Sequence, residues 1–229
     1  MPKSDRYYIP NPDYKEFWEA FYLFLRKNFE MRQPIDGEVE ENIEPYFGNF
    51  GFSYGAFTDT PKYFNRGLDI LAKPKTKVYS IFDGELEYSG FGHINGKYVF
   101  LSHPKMETED GFVMNSLYMH LRNFFVSFGS YQKMLRKISF NKYPTVDIKK
   151  GDNIGEVGST GNAEGIRAYL HLQVEFRDDS GKIVLIDPAE VLGLGRKENI
   201  TRDINTKEEF KSLFEKDKDK INKLGINKY

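Results

Sequence analysis

The chain contains no cysteine. Disulfides and thiolate metal sites are therefore excluded within it, and any metal must be held by His, Asp or Glu. An excess of either charge is missing too: 33 Lys and Arg face 34 Asp and Glu, a formal net charge of -1. That balance gives no electrostatic reason to expect nucleic acid or an anionic membrane as partner. No apolar run approaches the ~20 residues that span a bilayer. The start, MPKSDRYYIPNPDYKEF, lacks the apolar stretch of a signal peptide, which leaves the cytoplasm and a trimmed start both open. Internal repeats and low-complexity linkers are absent. Aromatics, by contrast, are plentiful, with 20 Phe and 15 Tyr among 229 residues. A chain of this length makes one large domain or two small ones, with material for a core.

Residues 12–32 predict a helix, with Asn11 as cap and Pro12 in the first turn. Phe17, Phe21, Phe24 and Leu25 share one side, flanked by Trp18 and Tyr22, as a packing face would. From Val78 the apolar period changes to two. VYSIFDGELEYSG predicts a hairpin around Asp83-Gly84, and GHINGKYVFLSHP a second around Asn95-Gly96. NSLYMHLR, YLHLQVEF and the segment RDDSGKIVLIDP add further strands. The expected fold is mainly β, an antiparallel sheet domain over residues 45–195. An N-terminal helical extension (1–44) and a C-terminal helix (196–229) flank it, the latter opened by a capping box of Thr206 and Glu209. A helical insertion at about 122–145 interrupts the strands, on the spacing of Tyr131, Met134, Leu135 and Ile138.

Histidine is scarce, with 4 in the chain: His93, His103, His120 and His171. Alternation in YLHLQVEF puts Leu170, Leu172, Val174 and Phe176 on one face and Tyr169, His171, Gln173 and Glu175 on the other. In SLYMHL it groups His120 with Ser116 and Tyr118, against Leu117, Met119 and Leu121. Both histidines are thus expected on a polar sheet face. Asp69, after Gly67, reads as a turn acceptor or a site residue. The glycine-rich run GDNIGEVGSTGNAEG lacks the Lys-Ser/Thr ending of a phosphate loop and reads as a series of tight turns.

Four segments, NRGLDILAKPKTKVYSIFDGELEYSG, LYMHL, KKGDNIGEVGSTGNAEG and YLHLQVEF, stand in an order that resembles the M23 family. These are the LytM or lysostaphin-like zinc endopeptidases that cut peptide cross-links in bacterial peptidoglycan. The resemblance covers roughly residues 50–192 and implies the LytM, or duplicated-hybrid-motif, type of sheet. It implies one zinc, bound by the residues of a His-x-x-x-Asp motif and by the second histidine of His-x-His. Asp69 matches the ligand aspartate, His171 the ligand histidine, and His120 an assisting catalytic histidine. Asn65 stands where the first ligand histidine belongs, and Tyr169 where the other assisting histidine belongs.

These departures weigh on function. A catalytic zinc takes three protein ligands and an open position, and a neutral amide oxygen is a weak ligand beside imidazole. Tyrosine, with a reference pKa near ~10, is a poor general base at neutral pH. The expectation is a degenerate member that holds zinc weakly or not at all. It would bind a peptidoglycan peptide or a protein partner, such as a wall hydrolase, at the cell envelope. The alternative is an active zinc endopeptidase in which His93 or His103 replaces Asn65 in space. A lipoyl-type or phosphotransfer carrier, suggested by VDIKKGDNIGEVG, lacks the exposed lysine at a hairpin tip that such a domain needs.

Overall fold

The computed structural model describes residues 7–8, 15–37, 39, 42–43, 53–54, 63–107, 111–127 and 146–194. Strands β1 (Tyr7–Tyr8), β4 (Leu68–Leu71), β6 (Gly84–Gly92), β7 (Gly96–Glu107), β8 (Val113–Leu121), β10 (Asp147–Ile148), β12 (Tyr169–Arg177) and β13 (Ile183–Ile186) form one sheet. Its order is β1-β13-β12-β8-β7-β6-β10, antiparallel except for the β1–β13 pair. β4 pairs with the first half of β12 and β13 with its second half, so both use the same edge of that strand. A smaller sheet has the order β5 (Lys77–Tyr79), β11 (Asn153–Glu156), β9 (Asn123–Phe124), and β2 (Ser53–Tyr54) pairs with β3 (Tyr63–Phe64).

Core residues follow the alternation. Leu170, Leu172 and Val174 of β12 are fully buried and pack with Leu68 and Ile70 of β4 and Ile154 of β11. Each such side chain contributes about 1.5–3 kcal/mol relative to exposure. Helix α1 (Lys15–Asn28) adds Phe21, Tyr22 and Leu25 to this core, and Phe21 meets Phe176 edge-on at 5.6 Å. The side chains of Phe17 and Trp18 lie outside the described residues. Helix α2 (Pro188–Leu192) is capped by Asp187, which accepts from Ala189 N–H, and ends at Gly193 in the left-handed region. The Asp-Pro start is a strong helix signal that the period-two reading passed over.

Three expectations change. Asp83-Gly84 is not a hairpin turn, because β5 pairs with β11 and β6 with β7, so the chain here crosses between sheets. Asp83 holds the crossing by accepting from Lys150 N–H at 3.0 Å. The segment expected to open an insertion at residue 122 instead runs directly into β9. The helical spacing at Tyr131–Ile138 and the C-terminal helix both lie outside the described residues. Finally, the polar face of β12 is covered as well: Gln173 and Glu175 are buried, with Glu175 accepting from Gln173 and Arg177.

Candidate functional site

β4 and β12 are antiparallel with Asp69 directly opposite His171. Directly opposed residues share a face and sit close, and Asp69 Oδ1 lies 2.6 Å from His171 Nδ1. The carboxylate can only accept, so Nδ1 donates. Just before β4, Asn65 folds back on its own loop. Its Oδ1 accepts from Gly67 N–H at 3.1 Å, and its Nδ2 donates to Asp69 Oδ2 at 3.2 Å. The first bond is a side-chain turn typical of asparagine, and it fixes which end of the amide faces Asp69. A Cβ at Gly67 would stand 2.3 Å from Leu172 O and 2.7 Å from His171 Nε2. Only glycine lets the loop lie this close to β12. His171 Nε2 is itself buried and without a partner.

His120 arrives from β8 by a different device. The register places Tyr118 opposite Leu172 and Met119 opposite His171. Tyr118 and Ser116 therefore face the core, and strict alternation would send His120 with them. The expected polar face of β8 is corrected on this point. A bulge between Tyr118 and Leu121, opposite Lys97 and Val99 of β7, inserts an extra residue. His120 adopts φ +60° there, a conformation uncommon for residues other than glycine and concentrated at functional sites. The bulge re-aims the ring. It now lies 6.0 Å from the His171 ring and 5.0 Å from the Tyr169 ring.

Thr160 secures this geometry. Its Oγ1 accepts from Lys97 N–H and donates to Leu121 O, both at 2.8 Å. Its carbonyl accepts from His120 Nδ1 at 2.9 Å, and its N–H donates to His120 O at 3.4 Å. Gly96, at φ +63°, lies so near that a Cβ there would stand 2.3 Å from Thr160 Oγ1. Sequence reasoning missed Thr160. It sat inside a run of turn residues, and nothing local marks one threonine as a partner of two distant strands.

Burial lowers the His120 pKa to about 4, helped by the neighbouring His171. The ring is thus neutral at pH 7. Its proton sits on Nδ1, facing Thr160 O, and Nε2 carries the lone pair. Burial raises the Tyr169 pKa, and the Asp69 charge raises it further. Its hydroxyl stays protonated and can donate. His93 lies exposed in the β6–β7 turn. His103 is fully buried, with Nδ1 on Asp83 O and Nε2 on Ser116 Oγ, both at 2.8 Å. With both ring nitrogens engaged elsewhere, His103 does not replace Asn65.

Asn65, Asp69, His120, Tyr169 and His171 therefore form one cluster. As a zinc centre its donor set does not fit. One carboxylate and one imidazole face each other within hydrogen-bond distance. The third position presents an amide NH2, which has no lone pair to offer, while the amide oxygen is held by Gly67 N–H. Among the described residues, no group of three or more His, Cys, Asp or Glu is arranged to hold a metal ion. Nor is His171 Nε2 placed to take a substrate proton, because it abuts Gly67.

Comparison with known proteins agrees in type. The model of peptidase family M23 matches residues 63–185. Peptidoglycan DD-endopeptidase ShyC of Vibrio cholerae is 28% identical over 112 residues, which are 49% of this chain and 20% of that protein. This chain thus matches about a fifth of that relative's length. Among solved structures, a zinc-containing peptidase from Vibrio cholerae is similar at 18% identity and TM-score 0.45, over 70% of this chain and 40% of that one. The catalytic domain of lysostaphin from Staphylococcus simulans is similar at 21% identity and TM-score 0.42, over 76% and 97%.

Proposed function

The chain belongs to peptidase family M23, and from that premise we propose that it is a non-hydrolytic member, a module that binds cell-wall peptide or a wall-hydrolase partner. One observation carries the reading. Asn65 turns its NH2 toward Asp69 and closes, with a hydrogen bond, the position from which a third ligand would reach zinc. An N–H donor satisfies the buried carboxylate and repels a cation. Tyr169 supports the same reading, since a hydroxyl kept protonated by burial and by Asp69 is not a general base. The likeness to a peptidoglycan endopeptidase makes wall peptide the natural ligand class. On this reading the protein works at the cell envelope and holds zinc weakly or not at all.

The test is metal analysis of protein purified without chelator, paired with an assay for peptide release from peptidoglycan. The expected result is substoichiometric zinc and no release. Asn65→His should then raise zinc affinity, because it exchanges the N–H donor for an imidazole. Tyr169→His alone should not. Stoichiometric zinc and cleavage by the wild type would overturn the proposal in favour of the active endopeptidase.

A further inference from the structure

We propose that the mouth of this site recognises a neutral peptide amide, with His120 Nε2 accepting its N–H and the Tyr169 hydroxyl donating to its C=O. The inference rests on the binding reading above and names the chemical group bound. Three observations support it. First, the backbone carbonyl of Thr160 fixes the His120 tautomer by taking the Nδ1 proton, so Nε2 is an acceptor. Among the described residues Nε2 has no partner, and unlike His171 Nε2 it is not sealed from solvent. Second, Tyr169 is half-buried, its ring lies 5.0 Å from that of His120, and its hydroxyl has no partner among the described residues. One acceptor and one donor thus stand side by side, which is the complement of a peptide unit.

Third, the charge behind them is already engaged. Asp69 accepts from His171 on one oxygen and from Asn65 on the other. An ammonium group would find no open carboxylate oxygen, and a carboxylate ligand would meet the field of Asp69 with no lysine or arginine in the cluster to receive it. A neutral amide meets neither obstacle. The bulge that holds His120 at φ +60° also acquires a purpose: without it the lone pair would point into the core.

The experiment is a nitrogen NMR titration of histidine-labelled protein with three probes: N-acetyl-diglycine methylamide, acetate and ethylammonium. The diamide should move the His120 Nε2 resonance in a saturable way, with the other two probes weaker. Tyr169→Phe should weaken diamide binding roughly tenfold, the scale of one net hydrogen bond. His120→Asn should abolish it. Asparagine tolerates the left-handed backbone and can still donate to Thr160 O, and unmoved His171 signals would report an intact fold. A diamide that leaves His120 unmoved, or acetate binding more tightly, overturns the proposal. Cleavage of the diamide in the same tube would count against the non-hydrolytic reading while supporting the amide contact, so the two ideas fail separately.

Discussion

Two buried histidine regions sit in the same sheet and are built on opposite principles. Around His103 every polar atom is matched. Nδ1–H donates to Asp83 O, Nε2 accepts from Ser116 Oγ, Ser116 Oγ lies 3.3 Å from the Tyr118 hydroxyl, and that hydroxyl accepts from Ile81 N–H. Phe82 packs edge-on against the ring at 5.5 Å. Around His120 and His171 the matching is incomplete. One nitrogen is buried without a partner, one backbone residue is strained, and a tyrosine is left half-exposed. A buried network that is fully satisfied rigidifies a core. Unpaired polar atoms and local strain are tolerated where a ligand completes them. The contrast separates a histidine that holds the fold from histidines that the fold holds in readiness.

Removing His103 should break the comparison most severely. His103→Ala leaves a cavity and two unmatched polar groups, and should cost about 3–5 kcal/mol in urea unfolding. Acid sharpens the contrast next. Burial lowers the His103 pKa to about 4 from an ordinary 6.5. The unfolded chain therefore binds more protons between these values, and stability present above pH 6.5 is lost as pH falls toward 4. For a fully buried ring the loss is about 3 kcal/mol. The His103→Phe variant should show a visibly flatter pH dependence in the same denaturant series; an unchanged slope would assign the loss to other groups. Ser116→Ala converts the matched region into an imitation of the other by orphaning His103 Nε2, and should cost about 1–3 kcal/mol. Smallest of all, His120→Asn should cost less than about 1 kcal/mol, because the left-handed position suits asparagine. A loss as large as that of His103→Ala would erase the distinction.

The degree to which this was legible in the sequence differs by feature. Alternation in YLHLQVEF correctly predicted the core face of β12, and Asn95-Gly96 correctly predicted the β6–β7 hairpin. These are local signals, a period and a turn. Asp83-Gly84 carried the same turn signal and misled, because pairing partners are chosen by tertiary packing. Face assignment for His120 failed for a related reason. A bulge changes the period by one residue and leaves no mark in composition. The closing of Asn65 onto Asp69 was invisible too. Sequence showed that a ligand type was missing but not which end of the amide would face inward, since that depends on Gly67 N–H.

The pairing of β4 with β12 has a bearing on how the molecule comes into being. Strands β6, β7 and β8 are joined by short connections and can find one another soon after they are made. Asp69 and His171 are 102 residues apart in the chain. Closing so long a loop carries an entropic cost that only later contacts repay. During synthesis, moreover, Asp69 waits until all of β12 has been made before its partner exists. The β6–β8 meander is therefore the natural first structure, and the ligand-facing cluster is among the last parts to assemble. A chain interrupted before Tyr169 would keep much of its sheet and have no site at all.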